Sequence, residues 1–259
     1  MAKIIAVANQ KGGVGKTTTT LNIGAALAKQ GKRVLLVDLD PQANLSTCLG
    51  WIPDNLPTVS ELMNSIVSGQ EISLVGSIRQ NLAENLDYIP STLALSAAEF
   101  FLVTAFSRET VLRRILFLPE AQAYDYILID CLPSLGILFV NALSAADRLL
   151  IPVQAQKLAL DGMQLVLNAY RQVQTNINPS LQLAGILVTM ADNTNMARSV
   201  IDILRGQYGE LVYADCISKS VQASNSTYAQ KSLVTMREKL GLQYEAVTAE
   251  LLQREGEKK

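Results

Sequence analysis

Asn9-Gln10-Lys11-Gly12-Gly13-Val14-Gly15-Lys16-Thr17-Thr18 follows the apolar run Ile4-Ile5-Ala6-Val7-Ala8 and leads into Leu21-Asn22-Ile23-Gly24-Ala25-Ala26-Leu27, which has helical spacing. Strand, glycine-rich loop and helix, in that order, form the context a phosphate-binding loop requires. Gly12, Gly13 and Gly15 let the backbone turn with its N–H groups inward, where a side chain would block an anion, and the helix expected to start near Lys16 adds the positive end of its dipole. In this pattern Lys16 sits against the β- and γ-phosphates, the Thr17 hydroxyl holds a magnesium ion, and Val14 and Thr18 complete the cradle. The strict motif G-x-x-x-x-G-K-[ST] is met except at its first glycine, which falls on Gln10, and a second lysine, Lys11, stands inside the loop.

Outward from the loop, strand and helix signals alternate to the end of the chain. Gly31 after Lys29 reads as a helix C-cap, and Arg33-Val34-Leu35-Leu36-Val37-Asp38 as a continuous apolar strand of the kind found in a parallel sheet covered on both faces. Residues 51–85 suggest two short helices, Val59–Ser68 and Ser73–Asn81. Leu86–Pro90 is a strand, and Ser91 or Thr92 a cap for a helix over Leu93–Phe106, whose crowded apolar residues suit core packing. A helix over Ser107–Leu116 follows, with Pro119 closing that region. Tyr124–Asp130, Arg148–Val153, Leu183–Met190 and Leu211–Ile217 read as strands. Asn141–Ala145, Asp161–Gln174, Met196–Tyr208 and Leu242–Arg254 read as helices. The pattern implies a single α/β domain over 1–259, with a doubly wound, mostly parallel sheet, helices on both faces and right-handed crossovers. Ligands in such sheets bind beyond the strands' carboxyl ends, where Gly13, Asp40 and Asp130 fall.

The composition narrows the chemistry. The chain has 259 residues, 49% hydrophobic and 17% charged, with a net charge of −1, so nucleic-acid binding would need a local basic patch. Histidine is absent, which removes the usual acid–base and zinc-ligand chemistry and leaves carboxylates, lysines and a cofactor. Cys48, Cys131 and Cys216 form no C-x-x-C pair and suit thiols in a reducing cytoplasm. Met1-Ala2-Lys3 runs straight into the first strand, so neither a signal peptide nor an N-terminal DNA-binding domain is expected, and no apolar stretch reaches the ~18 residues of a membrane span. Asp130 closes a run of four apolar residues at a strand end, the form of an acid that binds magnesium directly or through water.

KGGVGKTT resembles the deviant Walker A motif of the ParA/MinD family of ATPases. The resemblance continues through Val37-Asp38-Leu39-Asp40-Pro41-Gln42-Ala43-Asn44, close to the ParA-type VDxDPQxN segment, and through Asp130-Cys131-Leu132-Pro133-Ser134. Ile151-Pro152-Val153-Gln154 with Ala159-Leu160-Asp161-Gly162 is similar to the family's P-V-Q-x-E-x-x-A-L-E-G, with Gln156 where the glutamate is usual. Gly185–Met190 and Ile217-Ser218-Lys219-Ser220-Val221 are similar to its later segments. The resemblance implies ATP and Mg2+ as cofactors and an ATP-sandwich homodimer in which Lys11 reaches the partner's phosphates, like an arginine finger supplied in trans. It makes Lys11, Lys16 and Asp40 catalytic, with Asp40 positioning the attacking water. Asp38 would support the magnesium shell with Thr17 and Asp130, and Met190 and Ser218 would border the adenine.

Short ParA proteins of this pattern imply a cytoplasmic, nucleoid-associated ATPase. It would bind double-stranded DNA non-specifically, answer to a ParB-like activator and segregate plasmids or chromosomes. A ParA-fold ATPase positioning another cargo is the alternative. A MinD-like membrane cycle would need a basic, apolar terminal helix, which Leu251–Lys259 does not resemble, and no cysteine pair suits a nitrogenase-iron-protein-like cluster. The arginine common after the Thr-Met strand is missing from Ala191–Met196. Candidate DNA contacts are therefore Lys219, Arg198, Arg205 and Lys231, and the expected binding is weak at physiological salt.

Overall fold

A computed structural model describes residues 1–156 and 159–256, and side chains outside 157–161. The match at Ala159-Leu160-Asp161 and the end of the charged tail, 257–259, lie outside the described side chains. In chain order the elements are β1 (Lys3–Val7), α1 (Lys16–Lys29), β2 (Val34–Leu39), α2 (Asn44–Cys48), α3 (Val59–Val67), β3 (Arg79–Asn81), β4 (Leu86–Ile89), α4 (Ala98–Val103), α5 (Val111–Leu116) and α6 (Pro119–Gln122). They continue with β5 (Tyr126–Cys131), α7 (Ile137–Ala145), β6 (Arg148–Gln154), α8 (Ala159–Asn176), β7 (Gln182–Thr189), α9 (Asn195–Tyr208), α10 (Gln222–Ala229) and α11 (Lys239–Arg254).

The strands form one sheet in the order β3-β4-β2-β5-β1-β6-β7, parallel except for the edge strand β3. Period-two alternation divides the core between the two faces. Ile4 and Ala6 join a cluster with α3, α5 and α7, whereas Ile5 and Val7 join one with α1 and α11. A strand buried on both sides must be apolar throughout, which explains the uninterrupted runs in β1, β2 and β5. The end of α1 is closed as its glycine foretells. Gly31, at φ 81, donates to the Ala28 carbonyl at 2.9 Å, and Lys32 donates to Leu27 at 3.2 Å, which is the Schellman pattern.

Four expectations are corrected. Ser73–Asn81 is not a helix: Gly76 turns the chain at φ 89, and Arg79–Asn81 pairs antiparallel with Leu86–Tyr88 as β3. The Arg79 guanidinium holds that edge, donating to Asp54 and to the carbonyls of Leu56, Pro57, Gly76 and Ser77. The segment 93–106 begins as a 3-10 turn without a side-chain cap and only then becomes α4. Leu95, Ala98 and Leu102 are buried there, but Leu93, Phe100, Val103 and Phe106 face solvent, so it is not simply a core helix. Pro119 opens α6 at its first turn instead of ending a region, because its fixed φ and missing N–H suit that position. Residues 211–217 form no strand. Beside β7 the chain makes the parallel bridges Ile186–Val212 and Ala191–Ser218 and donates from the Tyr213 amide to Ile186 and from the Ile217 amide to Val188, but a bend at Ala214–Asp215 interrupts the ladder between those two bonds. Arg254 holds the start of this segment, its guanidinium donating to the carbonyls of Glu210, Leu211 and Val212.

Candidate nucleotide site

The loop after β1 rises at the sheet's carboxyl end, between β5 and β6. Gly13 and Gly15 take φ of 72 and 85, a left-handed turn that a side chain would strain. It is fixed from both sides. Asn9 donates to the Pro152 carbonyl at 2.7 Å and accepts the Lys11 amide at 3.0 Å, while the Thr189 hydroxyl donates to the Val14 carbonyl at 2.8 Å. Helix α1 then starts with no side-chain cap and no acid in its first turn. Its first N–H groups are left for an outside acceptor, and the lysine at its positive end is the wrong charge for the helix dipole alone. An anion resolves both problems. Gly12 and Gly13 are exposed, as a phosphate's approach requires.

Below the loop the strand-end acids converge. Asp38 and Asp130 are direct neighbours in the β2–β5 register, and both are buried. The Thr17 hydroxyl donates to Asp130 at 2.7 Å, and Thr20 stands behind it at 3.5 Å. Asp38 accepts the Ser46 amide at 2.9 Å, the Ser46 hydroxyl at 2.7 Å and the Asp40 amide at 3.2 Å. Asp40 accepts the Gln42 amide at 2.9 Å. Burial pushes the Asp38 carboxyl up to about 6, against its Ser46 and Asp40 donors. Burial, then the charge of Asp38, pushes Asp130 well above the usual carboxylate range. Burial likewise lowers the Lys16 ammonium, with Asp130 opposing. Its Nζ donates to the Lys11 carbonyl at 3.2 Å.

Two buried, adjacent carboxylates beside a hydroxyl fit a divalent cation, because such an ion offsets the burial and like charge that raise their proton affinity. Among the described residues no three His, Cys, Asp or Glu side chains form a metal cluster by themselves. Magnesium needs none, since it takes one or two protein oxygens and fills its octahedron with phosphate and water.

The remaining expected residues are placed as follows. Met190, at φ 51, follows directly on β7, one residue before Ala191, whose backbone bridges Ser218. Sequence reasoning missed Gln243 on α11, which accepts the Ser218 amide at 2.9 Å and donates to its hydroxyl at 2.8 Å and so sets that loop. It also missed Asn9, Ser46 and Thr189, whose partners lie on other strands or loops and leave no local signal. Of the expected basic contacts, Arg198 is exposed on α9, and Lys219 and Lys231 are exposed in the loops before and after α10. Arg205 is committed to the Ala214 carbonyl at 2.8 Å. No described helix is long and apolar enough to cross a membrane.

A doubly wound sheet carrying a glycine-rich loop above two strand-end carboxylates defines a P-loop NTPase fold of the deviant Walker A type. A family model described as an AAA domain matches residues 2–183. The sporulation initiation inhibitor protein Soj of Bacillus subtilis is 44% identical over 90% of this chain and 91% of its own. The chromosome partitioning protein ParA of Myxococcus xanthus is 39% identical over 98% of this chain and 89% of its own. Among solved structures, the cobyrinic acid a,c-diamide synthase of Mycobacterium smegmatis, with bound ATP analog and magnesium, superposes with a TM-score of 0.84. It is 36% identical over 99% of this chain and 96% of its own. The chain belongs to the family of the ParA and Soj partitioning ATPases.

Proposed function

We propose that this chain is a magnesium-dependent ATPase of the partitioning type, one domain over 1–259, that closes an ATP-sandwich homodimer, binds DNA non-specifically and answers to a ParB-like activator. The observation that carries the reading is the joint placement of Lys16, Thr17, Asp38 and Asp130 beneath an uncapped helix start. Lys16 would take the β- and γ-phosphates, and the loop amides from Gly12 to Thr18 would cradle them. Thr17 and Asp130 would hold magnesium, with Asp38 ordering its water shell, and the ion would neutralise charge on the phosphates. Asp40, on a turn pinned by Gln42, would orient the attacking water, and Lys11 of the partner would add positive charge as the phosphoryl group departs. Met190 and Ser218 would flank the adenine, and nucleoid association would follow from DNA binding by the closed dimer.

Three variants test the reading by calorimetry with Mg-ATP and light scattering. Lys16→Ala is expected to lose ATP binding. Lys11→Ala is expected to bind ATP as a monomer and fail to dimerise. Asp40→Ala should form a dimer that persists because its water is no longer held. ATP affinity unchanged in Lys16→Ala would reject the phosphate-loop assignment. Turnover stimulated by cobyrinic acid, and not by DNA with a partner protein, would instead favour the chemistry named for the mycobacterial structure.

A further inference from the structure

Lys11 is held at rest by an uncharged pair. Its Nζ donates to Gln156 Oε1 at 3.1 Å and to Gln154 Oε1 at 3.4 Å. Both glutamines sit at the carboxyl end of β6, where the Gln156 amide folds back onto the Gln154 carbonyl at 2.7 Å and the Ala155 amide is tied to Thr189. The same strand end anchors the phosphate loop through Asn9 and Pro152. Among the described residues Lys11 makes no ion pair, although Asp38, Asp40 and Asp130 crowd the same end of the sheet. Those acids are engaged with Ser46, Gln42 and Thr17 instead.

Amide oxygens fix the direction of an ammonium without cancelling its charge. A carboxylate at the same place would neutralise it and would have to be given up when the lysine leaves. We propose that Gln154 and Gln156 are positioning residues that form a neutral resting cradle for Lys11, from which it crosses to a second copy's nucleotide at small electrostatic cost. This rests on the trans role of Lys11 given above.

The test compares Gln156→Glu and Gln156→Ala with the parent, measuring ATP affinity by calorimetry and ATP-dependent dimerisation by sedimentation across a salt series. Exposed ion pairs correspond to about 2- to 5-fold in an equilibrium constant. Two lysines leave per dimer, so Gln156→Glu should weaken dimerisation by about 4- to 25-fold at low salt. Its affinity for ATP as a monomer should stay within about twofold, and the dimerisation defect should fade as salt screens the pair. Gln156→Ala should dimerise at least as well as the parent. A Gln156→Glu protein that dimerises like the parent at low salt overturns the cradle, as does a Gln156→Ala protein with an equal, salt-independent defect. Lys11→Ala, run alongside, separates the two ideas. If it dimerises normally, the trans role and the cradle both fall. If it stays monomeric while Gln156→Glu matches the parent, the cradle falls alone.

Discussion

Asp38 and Asp130 face each other across one step of the β2–β5 ladder, fully buried and of like charge. Burial raises the proton affinity of both groups, with the charge of Asp40 adding to it at Asp38 and that of Asp38 at Asp130. Asp130→Asn keeps the shape and removes one charge. Without nucleotide the variant is expected to gain a few degrees in Tm, because burial and then the charge of Asp38 disfavour the ionised carboxylate that the amide replaces. Mg-ATP should then raise its Tm far less than it raises the parent's, because the same carboxylate is the proposed magnesium partner. Differential scanning calorimetry in the two conditions checks this, and a parent-like Mg-ATP shift in Asp130→Asn removes the residue from the metal shell. These acids were legible in the sequence because each ends an apolar strand, and the strand period places Asp38 and Asp40 on one face. Ser46 was not legible. Its two hydrogen bonds to Asp38 depend on how α2 folds back from Ala43, which adopts a left-handed φ of 52.

Among the elements, what could be read locally was read well, and what depended on a distant side chain was not. The strands of the central sheet and helix α1 follow from apolar runs and a glycine stop, and both signals lie within the element itself. The expected strand over 211–217 fails because the chain bends at Ala214–Asp215 between its two bonds to β7, while its first residues are held by Arg254 on α11, some forty residues away in sequence. That guanidinium also donates to Ala184 at 2.9 Å and stacks over the Tyr213 ring at 4.1 Å. The exposed face of 93–106 escaped for a different reason: apolar crowding sets how much surface is sticky but not which part of it is covered. Arg254→Lys separates fork from charge. A single ammonium cannot reach carbonyls on both segments or stack as a plane, so the variant is expected to lose about 2–4 kcal/mol despite keeping its charge. Urea unfolding reads the loss. Hydrogen exchange should quicken over 209–217 while the amides of the phosphate loop stay protected as before. Stability equal to the parent's would show that the segment holds itself in place.

For the molecule as a whole, the question is whether a chain of net charge −1 can hold DNA at all. Its long-range field gives no attraction, so binding must come from local cations doubled by dimerisation. Arg205 is engaged with Ala214, which leaves Lys219, Arg198 and Lys231 as the exposed candidates of each protomer. Lys219 also lies close enough to Asp192 to help hold that carboxyl below the usual carboxylate range, after the hydrogen bonds from Thr194, so part of its charge is spent internally. Six cations per dimer imply a log–log salt slope of about −5, and roughly a thousandfold loss of affinity between 50 and 200 mM salt. The Asp40→Ala protein with ATP is expected to shift random duplex DNA at low salt and to release it near physiological salt. Adding Lys219→Ala should weaken binding equally on every sequence and make the slope shallower by about 2, one unit for each protomer. Electrophoretic shifts across a salt series measure both quantities. An unchanged slope would move the contact surface away from the 217–222 loop. If the locked dimer shows no shift even at low salt, the partition reading gives way to an ATPase of the same fold that positions another cargo.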